Sequence, residues 1–257
     1  MRVVTWNVNS LKVRMPRVLE LLEQHQPDVL CLQETKCNPG AFPELELQAS
    51  GYESVDASGG RWAGVAILAR KNGSPALREP QHGLPGDPVP DEARWVEATA
   101  AGIRFASVYV PNGRTLDSPE YPRKLAFLEA MARRIAELQA RGPLIVCGDM
   151  NIAPADADVY DPAAFVGGTH VSAPERDHLT AILEAGMVDA YRALHPAEVQ
   201  FTWWDYRAGN FHKGIGLRID LALVSASLAP RLIACGIYRD YRKGHKPSDH
   251  APLVVDL

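Results

Sequence analysis

Four cysteines in 257 residues, Cys31, Cys37, Cys147 and Cys235, never fall in a CxxC spacing. Paired-thiolate zinc sites are thereby excluded, and no disulfide is expected. Cys31 and Cys147 lie inside apolar runs, where a free thiol behaves as a small hydrophobe, whereas Cys37, in a polar segment, is expected to be exposed. No apolar run is long enough for a membrane-spanning helix, and Met1 leads directly into a strand-like run rather than a secretory leader, so a cytoplasmic location is expected. No Ser/Gly linker, composition shift or internal repeat divides the chain, which reads as one domain over residues 1–257. Positive charge is also in short supply: 27 Lys and Arg against 31 Asp and Glu give a net charge of −4, excluding a broadly basic protein that coats nucleic acid.

What the chain does have is a set of short apolar runs that end in acids and amides. VVTW runs into Asn7, VLCLQ into Glu34, and LIVCG into Asp149 and Asn151, while Asp249 and His250 precede LVVDL. Short apolar runs bounded by polar residues are buried strands, and the residues just past their ends lie at one rim of the sheet. In open α/β sheets that rim is where ligands bind. Carboxylates and amide oxygens suit hard cations, so the clusters together predict a divalent-metal phosphoesterase site. Magnesium is favoured, with manganese as a substitute; it takes few protein ligands, and Glu34 helped by Asn7 is the expected anchor. Asp220 interrupts the apolar run RIDLALV, where a lone carboxylate is costly to bury, so it is expected to face the same site.

Further strands are predicted near GVAILAR, RWVEATA, IRFASVYV and FTWWDY, with Ala100-Ala101-Gly102 as a hairpin connection. Helices are predicted over about 12–24 and 119–140, the second with Ser118 as cap and Pro119 in its first turn. A third starts after Ser172, where Ser172-Ala173-Pro174-Glu175 has capping-box form, and runs towards Leu183. Many strands with few helices between them suggest an α/β (α+β) domain of two packed sheets flanked by helices.

The ordered motifs TWNVNS, LQETK, YVPNG, GDMNIAP, VDAYR, WWDYR, LRIDLALVS and SDHAP run the length of the chain. In them it resembles the exonuclease III family of abasic-site endonucleases, within the endonuclease/exonuclease/phosphatase superfamily. The resemblance implies a four-layered α/β sandwich with the site at one end between two mixed sheets. It implies magnesium-dependent hydrolysis of duplex DNA 5′ to abasic sites, with 3′→5′ exonuclease and 3′-phosphodiesterase or phosphatase activity at blocked 3′ ends. Asp149 would be the base, Asn151 a donor to the nucleophile or phosphate, and His250, oriented by Asp189, a contact to a phosphoryl oxygen. Tyr109 and Asn112 would donate to the phosphate, Asp220 would position Asp149 or Asn151, and Asp249 would bind metal or hold the network. Asn7, Glu34, Asp149, Asn151, Asp249 and His250 together make the implied metal set. Which of the Asp, Tyr and His groups is the general base, and whether one metal or two act, stay open.

Because the overall charge is negative, cations that touch DNA must be local. Arg114, Arg123 and Lys124, the 207–213 segment with Arg218, and the basic stretch ending at Lys246 are candidates for a phosphate-tracking rim. Asn112, Arg114, Lys124, Trp203, Trp204, Arg207 and His250 are the expected DNA contacts, the aromatics gripping a distorted backbone. A monomer is expected. Relatives that act on inositol phosphates or sphingomyelin share the Asn, Glu, Asp and His anchors, but YVPNG, WWDYR and LRID favour the DNA branch. A non-catalytic DNA-binding regulator would show eroded ligands, and none of these positions is missing.

Overall fold

A computed structural model describes residues 1–71 and 76–257. Six strands form a first sheet in the order Ala234–Ile237 (β11), Leu253–Asp256 (β12), Arg2–Asn7 (β1), Val29–Gln33 (β2), Val65–Arg70 (β4) and Tyr52–Ala57 (β3). Six more form a second, in the order Arg78–His82 (β5), Trp95–Ala100 (β6), Ile103–Tyr109 (β7), Leu144–Asp149 (β8), Asp220–Ser225 (β10) and Met187–Asp189 (β9). Both sheets are mixed, with β1 parallel to β2, β7 parallel to β8, and antiparallel partners around them. Helix α1 (Leu11–His25) covers the outer face of the first sheet, beside the short α2 (Glu44–Ala49). Helices α3 (Glu120–Gln139) and α4 (Ala173–Glu184) cover the second. The short α5 (Ala190–Leu194) and α6 (Asn210–Lys213) lie in connections. The architecture is the expected four-layered sandwich.

Strand alternation decides where the site is. Val3, Val29, Cys31, Phe105, Ile145, Cys147, Ala222 and Val224 face the gap between the sheets, while Val4, Leu30, Ala106, Val146 and Leu223 face the helices. Carried two residues at a time towards the rim, the inward positions become Thr5, Gln33 and Ser107, and then Asn7, Tyr109 and Asp149. Thr5 Oγ donates to Gln33 Oε1 at 3.2 Å, Gln33 Nε2 to Ser107 Oγ at 3.0 Å, and Ser107 Oγ to the Leu32 carbonyl at 3.0 Å. The apolar core thus grades through a fully paired polar layer into the carboxylates, so none of the three is buried without a partner.

Ala101 and Gly102, with φ of 47° and 77°, make the two-residue turn that joins β6 to β7, as expected of a hairpin with both central residues left-handed. In α4, Glu175 reaches back to the Ser172 N–H at 3.0 Å, as the capping-box pattern required.

Other expectations are corrected. The 201–206 run is not a strand: the Trp203 N–H goes to the Leu217 carbonyl and the Trp204 N–H to that of Asp249, so its bonds are split between two segments rather than one ladder. Ser118 does not cap α3; its hydroxyl donates to the Gly113 carbonyl, and Pro119 stands at the N-cap. Cys37 is buried, as are the other three free thiols. Strands β3, β5, β9 and β11 were not anticipated. Every residue of β5 is exposed and it contains Pro80, so it carries no apolar alternation and occupies an edge.

Outside the site, β6 carries a buried charge, Glu97, only 1% exposed. It accepts from Arg134 Nε at 2.8 Å, Arg104 Nη2 at 2.8 Å and Trp95 Nε1 at 2.7 Å. Burial alone would raise its pKa, but the two guanidiniums and the indole more than offset that and hold the carboxyl below its ordinary range. A depressed carboxylate stabilises the fold above its unfolded pKa, and that contribution is lost as pH falls through the folded value. Glu97→Ala is expected to cost about 3–5 kcal/mol at neutral pH, because it leaves the buried Arg134 and the half-buried Arg104 without their carboxylate. The difference from wild type, measured by urea unfolding, should shrink below about pH 4. A gap that stays constant from pH 7 to pH 3 would contradict this account.

Candidate active site

Strand register brings three predicted residues side by side. Tyr109 is the Cα partner of Asp149 in the parallel β7–β8 pair, and Asp220 is its partner in the antiparallel β8–β10 pair. Two carboxylates directly opposite each other repel. His250 relieves the repulsion: its Nδ1 donates to Asp220 Oδ2 at 2.8 Å, and its Nε2 stands 3.7 Å from Asp149 Oδ2. The ring belongs to the loop before β12 and is fixed there from β1, because Trp6 Nε1 donates to the His250 carbonyl at 3.1 Å and Ser248 Oγ to the Asn7 carbonyl at 2.7 Å.

The expected orienter of His250 was Asp189; the structure gives that role to Asp220. Asp189 instead caps α5, accepting from the Tyr191 and Arg192 N–H groups at 3.1 and 3.2 Å, and pairs with Arg218 Nη1 at 2.8 Å. Arg218 and its second partner Asp158 are fully buried, so Arg218 is not part of a DNA-facing rim.

The charge balance is unusual. Burial pushes Asp149 up, and the neighbouring Asp220 and Glu34 charges add to this against the pull of His250, placing its pKa at about 7. Burial would lower the His250 pKa, but Asp220 and Asp149 outweigh it, so the imidazole stays protonated. Burial together with Glu34 and Asp149 raises Tyr109 well above the usual phenol value, keeping its hydroxyl a donor.

Glu34, Asp149 and His250 offer ligand atoms within 4.8 Å of one another. An imidazolium has no lone pair to give, which leaves Glu34 and Asp149 as the oxygen ligands for a cation. Asp220 Oδ1 is buried without a hydrogen-bond partner, a further mark of surplus negative charge. A hard divalent cation fits this donor set and would draw Asp149 back towards the ionised form.

Asn7 joins the site as a clamp. Its Nδ2 donates to Glu34 Oε1 at 2.8 Å and to Asp149 Oδ2 at 2.9 Å, while its Oδ1 is turned to the Asn9 N–H at 3.0 Å. Asn151 likewise turns its Oδ1 to Asn112 Nδ2 at 3.2 Å and donates from Nδ2 to the Val110 carbonyl at 2.9 Å. Asp249 engages both oxygens, one with Asn9 Nδ2 at 3.0 Å and one with Trp203 Nε1 at 3.1 Å. These bonds fix all three in the site, Asp249 in the network-holding arrangement that was one of its two expected roles.

The expected DNA contacts divide. Asn112, Arg114 and Arg207 are exposed, Arg207 in a pair with Asp205 at 2.5 Å, and Trp203 is half-buried. Trp204 is 2% exposed and packs on Phe211 and Ala251, so it cannot grip a substrate. Lys124 is fully buried against Glu175, which also removes it from any surface.

Four residues of the site went unnoticed in the sequence. Asn9 bridges Asp249 to Lys36, whose Nζ lies 2.9 Å from Glu34 Oε2 and 2.5 Å from Asn9 Oδ1. His170 places Nδ1 2.6 Å from the Asn151 carbonyl. Trp62 is 69% exposed, in a loop hydrogen-bonded to the segment after Glu34, with the Arg61 guanidinium over its ring. One structural feature unites most of them with their neighbours: Asn9, Glu34, Lys36, Asn151 and His170 all have positive φ, of 43°, 50°, 53°, 50° and 74°, which the sequence does not carry. Left-handed non-glycine backbone collects at functional sites, and Asn is among the residues that tolerate it.

Comparison with known proteins agrees with this geometry. The model of the Endonuclease/Exonuclease/phosphatase family matches residues 4–250. Exodeoxyribonuclease III of Haemophilus influenzae is 32% identical, over 100% of both chains. Among solved structures, the 3′ phosphatase NExo from Neisseria, bound to a product DNA hairpin, is 38% identical, with a TM-score of 0.96 over 100% of this chain and 99% of that one. An AP endonuclease from Archaeoglobus fulgidus is 37% identical, with a TM-score of 0.93 over 99% and 98%.

The reassignment of His250's partner can be checked directly. In EDTA, Asp220→Asn should lower the proton affinity of the His250 ring at least about tenfold, roughly 1.4 kcal/mol, as followed by NMR titration. Asp189→Asn should leave it nearly unchanged. Equal effects of the two substitutions would restore Asp189 to the role.

Proposed function

This chain belongs to the Endonuclease/Exonuclease/phosphatase family, and on that premise we propose that it is a magnesium-dependent DNA repair nuclease of the exonuclease III type. Its reaction is hydrolysis of a phosphodiester in duplex DNA, 5′ to an abasic site, together with 3′→5′ exonuclease action and removal of blocking groups from 3′ ends. The observation that carries this reading is the pair of a half-buried Glu34 and a buried Asp149 beside a protonated His250, at the open rim of the sandwich. The similarity to a 3′ phosphatase and to an AP endonuclease puts both substrate types in the same assay. Manganese should substitute for magnesium, and the chain should act as a monomer. Among the described residues no helix is long and apolar enough to cross a membrane.

Phosphodiester hydrolysis needs an in-line nucleophile, neutralised phosphoryl oxygens and a stabilised leaving oxygen. Glu34 and Asp149 would hold the cation, which when bound supplies positive charge to the phosphate and the departing oxygen. Asp149, kept ionised by the cation, would be the group placed to accept a proton from water. The Asn151 N–H donates to Asp149 Oδ1 at 2.9 Å and Asn7 Nδ2 to its Oδ2, so the carboxylate cannot rotate away. His250 Nε2–H, too far from Asp149 for a good hydrogen bond, is available to a phosphoryl oxygen, where a fixed donor gains strength as charge builds. The Tyr109 hydroxyl, on the strand beside Asp149, would be a further donor to the phosphate.

A labelled duplex with one abasic analogue, and a second with a 3′-phosphate at a nick, should both be processed in magnesium and neither in EDTA. Asp149→Asn should lower the rate by about 10²–10⁴-fold or more, the range for losing a general base. A folded wild type that binds the duplex and processes neither substrate would sink the proposal.

A further inference from the structure

Lys124 was expected to meet DNA, and its burial leaves the question of what a fully enclosed ammonium does beside this site. Its Nζ donates to the carbonyls of Asn112 at 3.2 Å and Asn151 at 2.7 Å, to Thr169 Oγ at 3.3 Å, and to Glu175. Those four partners come from four different segments: the loops after β7 and β8, the loop before α4, and α4 itself. Glu175 extends the same knot, taking the Thr169 hydroxyl at 2.8 Å and the His170 N–H at 3.0 Å. The Thr169 hydroxyl also lies 3.1 Å from the Asn112 carbonyl.

The loops so joined carry Asn112, Asn151 and His170 into the site. We propose that Lys124, paired with Glu175, is a positioning residue: one buried charge ties the three loops together and so sets where the Asn112 and Asn151 amides stand. The inference rests on the nuclease reading above and deepens it.

Several details fit a tether rather than incidental core packing. A buried lysine that only filled space would be replaced at lower cost by an apolar side chain, because enclosing an ion pair carries a desolvation penalty. Here every proton on Nζ is directed at a loop carbonyl, a hydroxyl or its counter-ion. Gly113, at φ +84°, lets the loop lie against the lysine; a Cβ there would come within 3.0 Å of Lys124 Cδ and 3.1 Å of Thr169 Oγ. The same knot fixes the His170 tautomer. Burial and the nearby Lys124 charge hold that imidazole neutral, with a pKa of about 4, so Nδ1 donates to the Asn151 carbonyl and Nε2 is left to accept, 3.5 Å from Asn112 Nδ2.

The test compares Lys124→Met, and the charge-balanced K124M/E175Q pair that leaves no lone buried ion, with wild type on the duplex that wild type processes fastest. Both should unfold cooperatively, bind duplex with KM within about threefold of wild type, and lose about 30-fold or more in kcat, as expected when reacting groups are misplaced rather than binding surface removed. On an Asn151→Ala background the same replacement should cost less than about threefold further, because the tether acts through that loop. Losses that multiply across the two sites, or variants with wild-type kcat, would overturn the tether while leaving the nuclease reading intact. A wild type that processes no DNA removes the nuclease reading and, with it, this inference.

Discussion

The arrangement of the whole site follows from one electrostatic constraint: Asp149 and Asp220 face each other across adjacent strands inside the sandwich. Two enclosed carboxylates at that separation cannot both stay ionised without positive charge nearby. His250 supplies part of it, and Glu34 and Asp149 are placed to hold a cation that would supply the rest. The surrounding hydrogen bonds then do the orienting. Asn7 holds Asp149 and Glu34 together, the Asn151 N–H fixes the other Asp149 oxygen, and Asp249 is held between Asn9 and Trp203.

This constraint explains why the core is graded. Carboxylates set directly against Val and Ile would be starved of partners, so a layer of Thr5, Gln33 and Ser107 separates them from the apolar interior. It also explains where backbone strain collects. Residues that must aim an amide or carboxylate into a narrow gap leave the strands in left-handed conformations, at Asn9, Glu34 and Asn151, and the packed sheets beneath hold them there.

Much of this was legible from local patterns. The short apolar runs VVTW, VLCLQ and LIVCG identified the strands, and their polar ends identified the rim, because a short apolar run bounded by polar residues marks a buried strand. Asp220 was legible because a lone acid in an apolar run needs a partner. That the partner is His250, 30 residues away, and not Asp189 depends on register and on the loop before β12, and neither leaves a trace in local composition. Lys124 shows the same limit. In sequence it is a cation beside Arg123 on a helix, and only the packing of α3 on α4 reveals that it points inwards to Glu175. Exposed β5 and the split backbone bonds of 201–206 were illegible for the complementary reason, since a strand or loop defined by its neighbours has no periodicity of its own.

The pairing of β1 with β12 has a consequence in time. Trp6 and His250 are joined by a hydrogen bond although 244 positions separate them, and β1 is flanked on that side by β12 alone. Contacts of such span form late, because the loop they close is nearly the whole chain. Asn7 and Glu34 follow β1 and β2, whereas the imidazolium that balances Asp149 comes with β12. Until β12 pairs with β1, the site lacks the imidazolium beside Asp149 and is electrostatically incomplete.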